Sequence, residues 1–248
     1  GAAAIYSPFG VSAKSEFYKF IAAFSLAVIL LARFERKHVS GLLWGSASVS
    51  AVIALISLDM NCGKFLFGIF NPLMNLLGAD YTNALAENAA SRVNGLYNDA
   101  NVTACLFSLS LFVALYLLRK SACVWRRLAA SVLAGVHVVS LLLTGSRGAL
   151  LCFAAACIVW LIAERADRVG LFLLLAETAV TMITAGVPAS SLAGHGREAA
   201  VLVCLLGGVL LFALDALAGR RLGTLLSAHK RAALAAVGAL CAVTAALC

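Results

Sequence analysis

The stretch Leu141-Leu-Leu-Thr-Gly-Ser-Arg-Gly-Ala-Leu-Leu151 sets one arginine, Arg147, in a turn of a few residues between two long apolar runs. Two apolar helices joined by so short a turn form an antiparallel hairpin, and the turn stays close to a membrane surface. A charge at the bilayer centre costs about 2.5 to 3.5 kcal/mol on insertion scales, so Arg147 at this spot needs a reason. It either snorkels to lipid phosphates or holds an anionic substrate.

Working outward, the same grammar covers the whole chain. Hydrophobic residues make up 63% of the sequence and charged residues 12%, with a mean hydropathy of +1.00. That composition excludes a soluble globular domain. Apolar runs occur at about 17–32, 41–58, 102–118, 128–144, 148–163, 169–186, 198–217 and 232–248. Lipid offers the backbone no hydrogen-bond partners, so runs of this length rich in Leu, Ala and Val become helices. The expected fold is an all-α integral membrane protein of about eight transmembrane helices in one bundle. It forms a single polytopic domain over 1–248, with an outer segment at about 59–101.

The net charge of +8 is concentrated in alternate short loops: Arg33, Arg36 and Lys37; Arg119, Lys120, Arg126 and Arg127; Arg165 and Arg168; Arg220, Arg221, Lys230 and Arg231. This alternation points to the positive-inside rule and away from nucleic acid. It places those loops in the cytoplasm and sends 1–16, 59–101, 145–147 and 187–197 outside. The eight cysteines lie mostly within apolar runs with no C-x-x-C pair, which implies neither a zinc site nor a disulfide framework. No metal or cofactor is implied. The sequence begins at Gly1, and its last apolar run ends at Cys248 without a polar flank, as a piece of a longer protein would.

The outer side carries what the insertion rule says it should lack. Arg92, Arg147 and Arg197 stand at or just before the outward N-termini of three helices, with Lys64 nearby. A helix N-terminus is the positive end of the macrodipole, so an acidic residue is the ordinary stabilising choice there. Unpaired N–H groups and guanidinium donors together suit a phosphate or pyrophosphate. Ser146 reads as an N-cap, Gly148 as a small residue permitting close approach, and Asn98, Asp99 or Asn101 as the N-cap of the helix near Val102. Glu198 beside Arg197 weakens that third position.

Within the runs, Glu177 reads as a structurally hydrogen-bonded carboxyl, with a proton relay as the alternative, and His137 as a neutral histidine satisfied between helices. Asp215 reads as an interfacial partner of Arg220 or Arg221. His195, in the outer Gly194-His-Gly-Arg197 loop, is a weak acid/base candidate.

Two segments resemble the O-antigen ligase and O-antigen polymerase family of bacterial membrane proteins: Ser91-Arg-Val-Asn-Gly-Leu-Tyr-Asn-Asp-Ala-Asn101 and Thr144-Gly-Ser-Arg-Gly-Ala-Leu150. The likeness extends over roughly 85–165. It implies a GT-C-like glycosyltransferase on the outer face of the bacterial cytoplasmic membrane. Its donor would be a glycan on a polyprenyl pyrophosphate, and its acceptor a sugar hydroxyl of another glycan or glycolipid. Arg92 and Arg147 would contact the pyrophosphate, Arg197 more weakly, and Asn101 would shape the entry. The family's further outer loop, with its histidine, has no counterpart before Cys248, so the general base is expected outside this piece. The alternative is a transporter or flippase of lipid-linked or anionic solutes, for which broken helices at the midplane and an internal repeat would speak.

Overall fold

The computed structural model describes residues 36–62, 72, 93, 99–195 and 199–228. Among them there are six helices and no strand: α1 (Arg36–Cys62), α2 (Ala100–Lys120), α3 (Val124–Leu143), α4 (Arg147–Ala163), α5 (Arg168–Gly194) and α6 (Ala199–Ala228). Five of them are long and apolar enough to cross a membrane, as a multi-pass membrane protein requires. The sixth, α4, has 17 residues and spans about 25 Å at 1.5 Å per residue, just short of a hydrocarbon core. The runs at 17–32 and 232–248 lie outside the described residues, as does nearly all of the outer segment after Cys62.

The chain divides into two compact units, Gly1–Leu43 and Trp44–Cys248. Within the second, α3 is the hub, packing on α2, α5 and α6, while α5 and α6 pack along each other. Glycines make the closest of these approaches. A Cβ on Gly135 of α3 would strike the backbone of Gly208 on α6, and one on Gly208 would strike Val132. Small residues allow that backbone-to-backbone contact, in which packing drives association where lipid removes the hydrophobic incentive. By contrast α4 buries no side chain fully and is held to α2 by Phe112, whose ring lies 4.8 Å from Phe153 and 5.9 Å from Trp160.

Polar side chains in the spans bond mostly to their own helix. The hydroxyls of Ser57, Thr178 and Thr181 donate to carbonyls four residues earlier, at Ile53, Leu174 and Glu177. His137 does likewise. Its Nδ1 lies 2.6 Å from the Leu133 carbonyl, and Nε2 has no hydrogen-bond partner. The interhelical bond expected for His137 is therefore replaced by a local one, because the residue four positions back offers its carbonyl without any help from a neighbouring helix. Phe107 of α2 packs edge-on against the ring at 6.3 Å.

Several helices outrun their apolar runs. α1 continues through Asp59 and Met60, both buried, to Cys62, beyond the end of the apolar run at 58. α5 passes through Pro188 to Gly194, where hydropathy alone ends it near 186 and assigns 187–197 to a loop. Proline removes one helical hydrogen bond but does not end the helix.

Candidate functional site

Short connections place the ends of α2 to α5 alternately at two ends of the bundle. At one end are the loops after α2 and after α4, and they are clasped together. Arg119 donates Nη1 to Glu164 Oε2 at 3.0 Å, and Nη2 to the Asp167 carbonyl at 2.9 Å and to Asp167 Oδ2 at 3.2 Å. The Ala166 amide holds the Glu164 carboxyl below the usual carboxylate range, with the Arg119 charge adding to it. Arg168 donates Nε to the Glu164 carbonyl at 2.7 Å. Asp215 of α6 pairs with Arg127 of α3, a residue distant in sequence. The side chains of Arg220 and Arg221, the partners expected from the sequence, lie outside the described residues.

The opposite end holds the segments that carried the sequence argument. Asp99 caps α2, its Oδ1 accepting from the amides of Asn101 at 2.7 Å and Val102 at 3.3 Å. Ser146 caps α4, its Oγ accepting from the Ala149 amide at 3.3 Å. Both caps match the reading of the sequence. The two are then joined, as Ser146 Oγ donates to Asn101 Oδ1 at 2.9 Å. Thr144 Oγ1 accepts from the Ser146 amide at 3.3 Å and donates to the Leu141 carbonyl at 2.7 Å. Gly145 takes φ 60°, the left-handed conformation that ends α3 and that glycine adopts without a Cβ penalty. Val93, next in sequence to Arg92, donates its amide to the Leu143 carbonyl at 3.1 Å.

Thus the N-termini of α2 and α4 stand side by side, and Arg147 is exposed as the first residue of α4. It makes no hydrogen bond or ion pair with any described residue, whereas Arg119, Arg127 and Arg168 at the other end are all engaged. A Cβ on Gly148 would meet nothing within 4 Å, so no packing among the described residues demands glycine there. Arg92 and Arg197 lie outside the described residues. His195 is the C-cap of α5, exposed, with Nδ1 2.7 Å from the Ser191 carbonyl.

Sequence reasoning missed a second site. Between α2, α3, α5 and α6, at the clasped end, a cavity of about 280 Å³ is lined by Arg119, Arg127, Asp167, Asp215 and Glu177 among others. Glu177 is 6% exposed and neither carboxylate oxygen has a hydrogen-bond partner among the described residues, where the sequence suggests a structural hydrogen bond. Arg127 of α3 lines the same cavity from another helix, a neighbour the sequence did not reveal. No family model, curated protein or solved structure matches the chain.

Proposed function

We propose that the chain belongs to a membrane glycosyltransferase of the O-antigen ligase or polymerase kind, working on the outer face of the bacterial cytoplasmic membrane. The supporting observation is the Ser146–Asn101 hydrogen bond. It joins the two segments that resemble that family and sets an unpaired arginine at a helix N-terminus beside a second helix N-terminus.

The chemistry suited to this end is departure of a pyrophosphate. In glycan transfer the anomeric carbon–oxygen bond to the polyprenyl pyrophosphate breaks, and the acceptor hydroxyl oxygen takes its place. Negative charge grows on the leaving group, and a guanidinium with the first amides of α4 stabilises it where it develops. Arg147 fills that role, Arg92 joins it from the preceding segment, Arg197 contributes weakly, and Asn101 shapes the entry. The two-residue tie to Ser146 keeps Asn101 in register with the turn. The general base is unassigned, and His195 is a weak candidate for it.

Changing Arg147 to alanine in cells that depend on this protein is expected to abolish glycan extension or transfer. Arg147→Lys restores little, because a lysine lacks the paired donors. Full surface glycan in the alanine variant rejects the proposal. The unpartnered Glu177 in its cavity favours a second reading, a proton-coupled transporter of anionic or lipid-linked solutes. In that case solute uptake is lost in Glu177→Gln and retained in Arg147→Ala.

A further inference from the structure

A carboxyl in a membrane span with nothing to bond to is expensive to keep. Glu177 is such a group. Both of its oxygens are closed off from solvent and lack a hydrogen-bond partner among the described residues, yet the side chain lines a cavity of about 280 Å³. Nine residues separate it from Arg168, so it lies about 13 Å along α5 from the clasped end. At about 30 Å³ per water molecule, a cavity of this volume has room for several.

The charged groups that line this space can be named among the described residues. From α3 comes Arg127, already paired with Asp215 of α6. Arg119 of α2 lines the mouth with Asp167, the N-cap of α5, to which it is bonded. Both cations are therefore matched by carboxylates before Glu177 is counted. Among the described residues, an ionised Glu177 therefore adds a negative charge with no cation of its own. Among the described residues no group of three His, Cys, Asp or Glu side chains could hold a metal ion. A proton needs only one oxygen.

We propose that Glu177 is a proton-binding site that exchanges with the basic-loop side of the membrane through this cavity. On losing its proton the carboxylate competes with Asp215 for Arg127, so the charge on α5 is linked to the ion pair that joins α3 and α6. The proposal does not depend on glycan transfer and can fail or stand without it.

The test is difference infrared spectroscopy of the protein in lipid vesicles, following the carbonyl band of a protonated carboxylic acid. One band is expected to titrate as a single proton, and to be missing in Glu177→Gln. Should the glutamine variant not fold, Glu177→Asp serves instead, moving the band in frequency while keeping its titration. In vesicles of uniform orientation, a pH change confined to the basic-loop side shifts the band promptly, and one confined to the opposite side does not. A band that stays constant from about pH 4 to about pH 10, that persists in Glu177→Gln, or that follows the opposite side alone overturns the proposal.

Discussion

Ser146 Oγ donates a hydrogen bond to Asn101 Oδ1 at 2.9 Å while accepting one from the Ala149 amide at 3.3 Å. One hydroxyl therefore both caps α4 and fastens it to the first turn of α2. Because α4 buries no side chain fully, this polar tie and the Phe112 aromatic contacts do much of its positioning.

Ser146→Ala is predicted to lower stability by about 1 kcal/mol through loss of the cap. Asn101→Ala should cost a similar amount, and the double variant less than the sum, since the two residues share one bond. Denaturant unfolding in detergent, run as a double-mutant cycle, measures the coupling. Additive effects would show that the two helix starts are independent.

Gly135 and Gly208 bring α3 and α6 together at backbone distance, and a Cβ on either collides with the other helix. Gly135→Val is expected to destabilise the bundle by about 1–3 kcal/mol or more, as overpacking does. Gly148→Ala, where a Cβ meets only open space, should leave stability nearly unchanged. Thermal unfolding of the two variants side by side checks the contrast.

The Arg119–Glu164 clasp gives a pH dependence with a definite sign. The Ala166 amide and the Arg119 charge hold the Glu164 carboxyl below its ordinary value. A depressed carboxyl adds stability that is fully present above its unfolded value, near about 4.3, and is lost as pH falls through the folded one. Acidification is thus expected to loosen the 164–167 loop, seen as faster protease cleavage there. Glu164→Gln should be cleaved readily at neutral pH and show a flatter acid response.

Cys123 is exposed at the start of α3. It makes no full capping hydrogen bond, but the Arg126 amide, and next that of Trp125, face the sulfur and draw the thiol below its ordinary value. It should react with a water-soluble maleimide faster than Cys105 or Cys152, which are exposed within apolar helices. Reaction only from the cytoplasmic side supports the orientation set by the basic loops. Reaction only from the outside reverses it.

Much of the helical architecture was legible because composition and hydropathy act locally. A run such as 102–118 has no alternative in lipid, and caps such as Asp99 and Ser146 stand immediately before the helix they start. What escaped was whatever depends on neighbours distant in sequence. Asp215 pairs with Arg127, 88 residues away, and both line the cavity that Glu177 meets. Helix ends also drifted. Pro188 and Asp59 look like terminators to a hydropathy reading, but α5 runs through the one and α1 through the other. The glycine contact was visible in principle, as Ala134-Gly135 and Gly207-Gly208 in two apolar runs, though nothing in the sequence joins those two pairs.

The central claim is that the paired N-termini of α2 and α4 receive a diphosphate, and binding tests it without requiring turnover. With the protein in nanodiscs, polyprenyl pyrophosphate should bind at least about tenfold more weakly to Arg147→Ala, a loss of about 1.4 kcal/mol, and Arg147→Lys should recover only part of it. Equal affinity of wild type and Arg147→Ala for the diphosphate lipid would contradict the account.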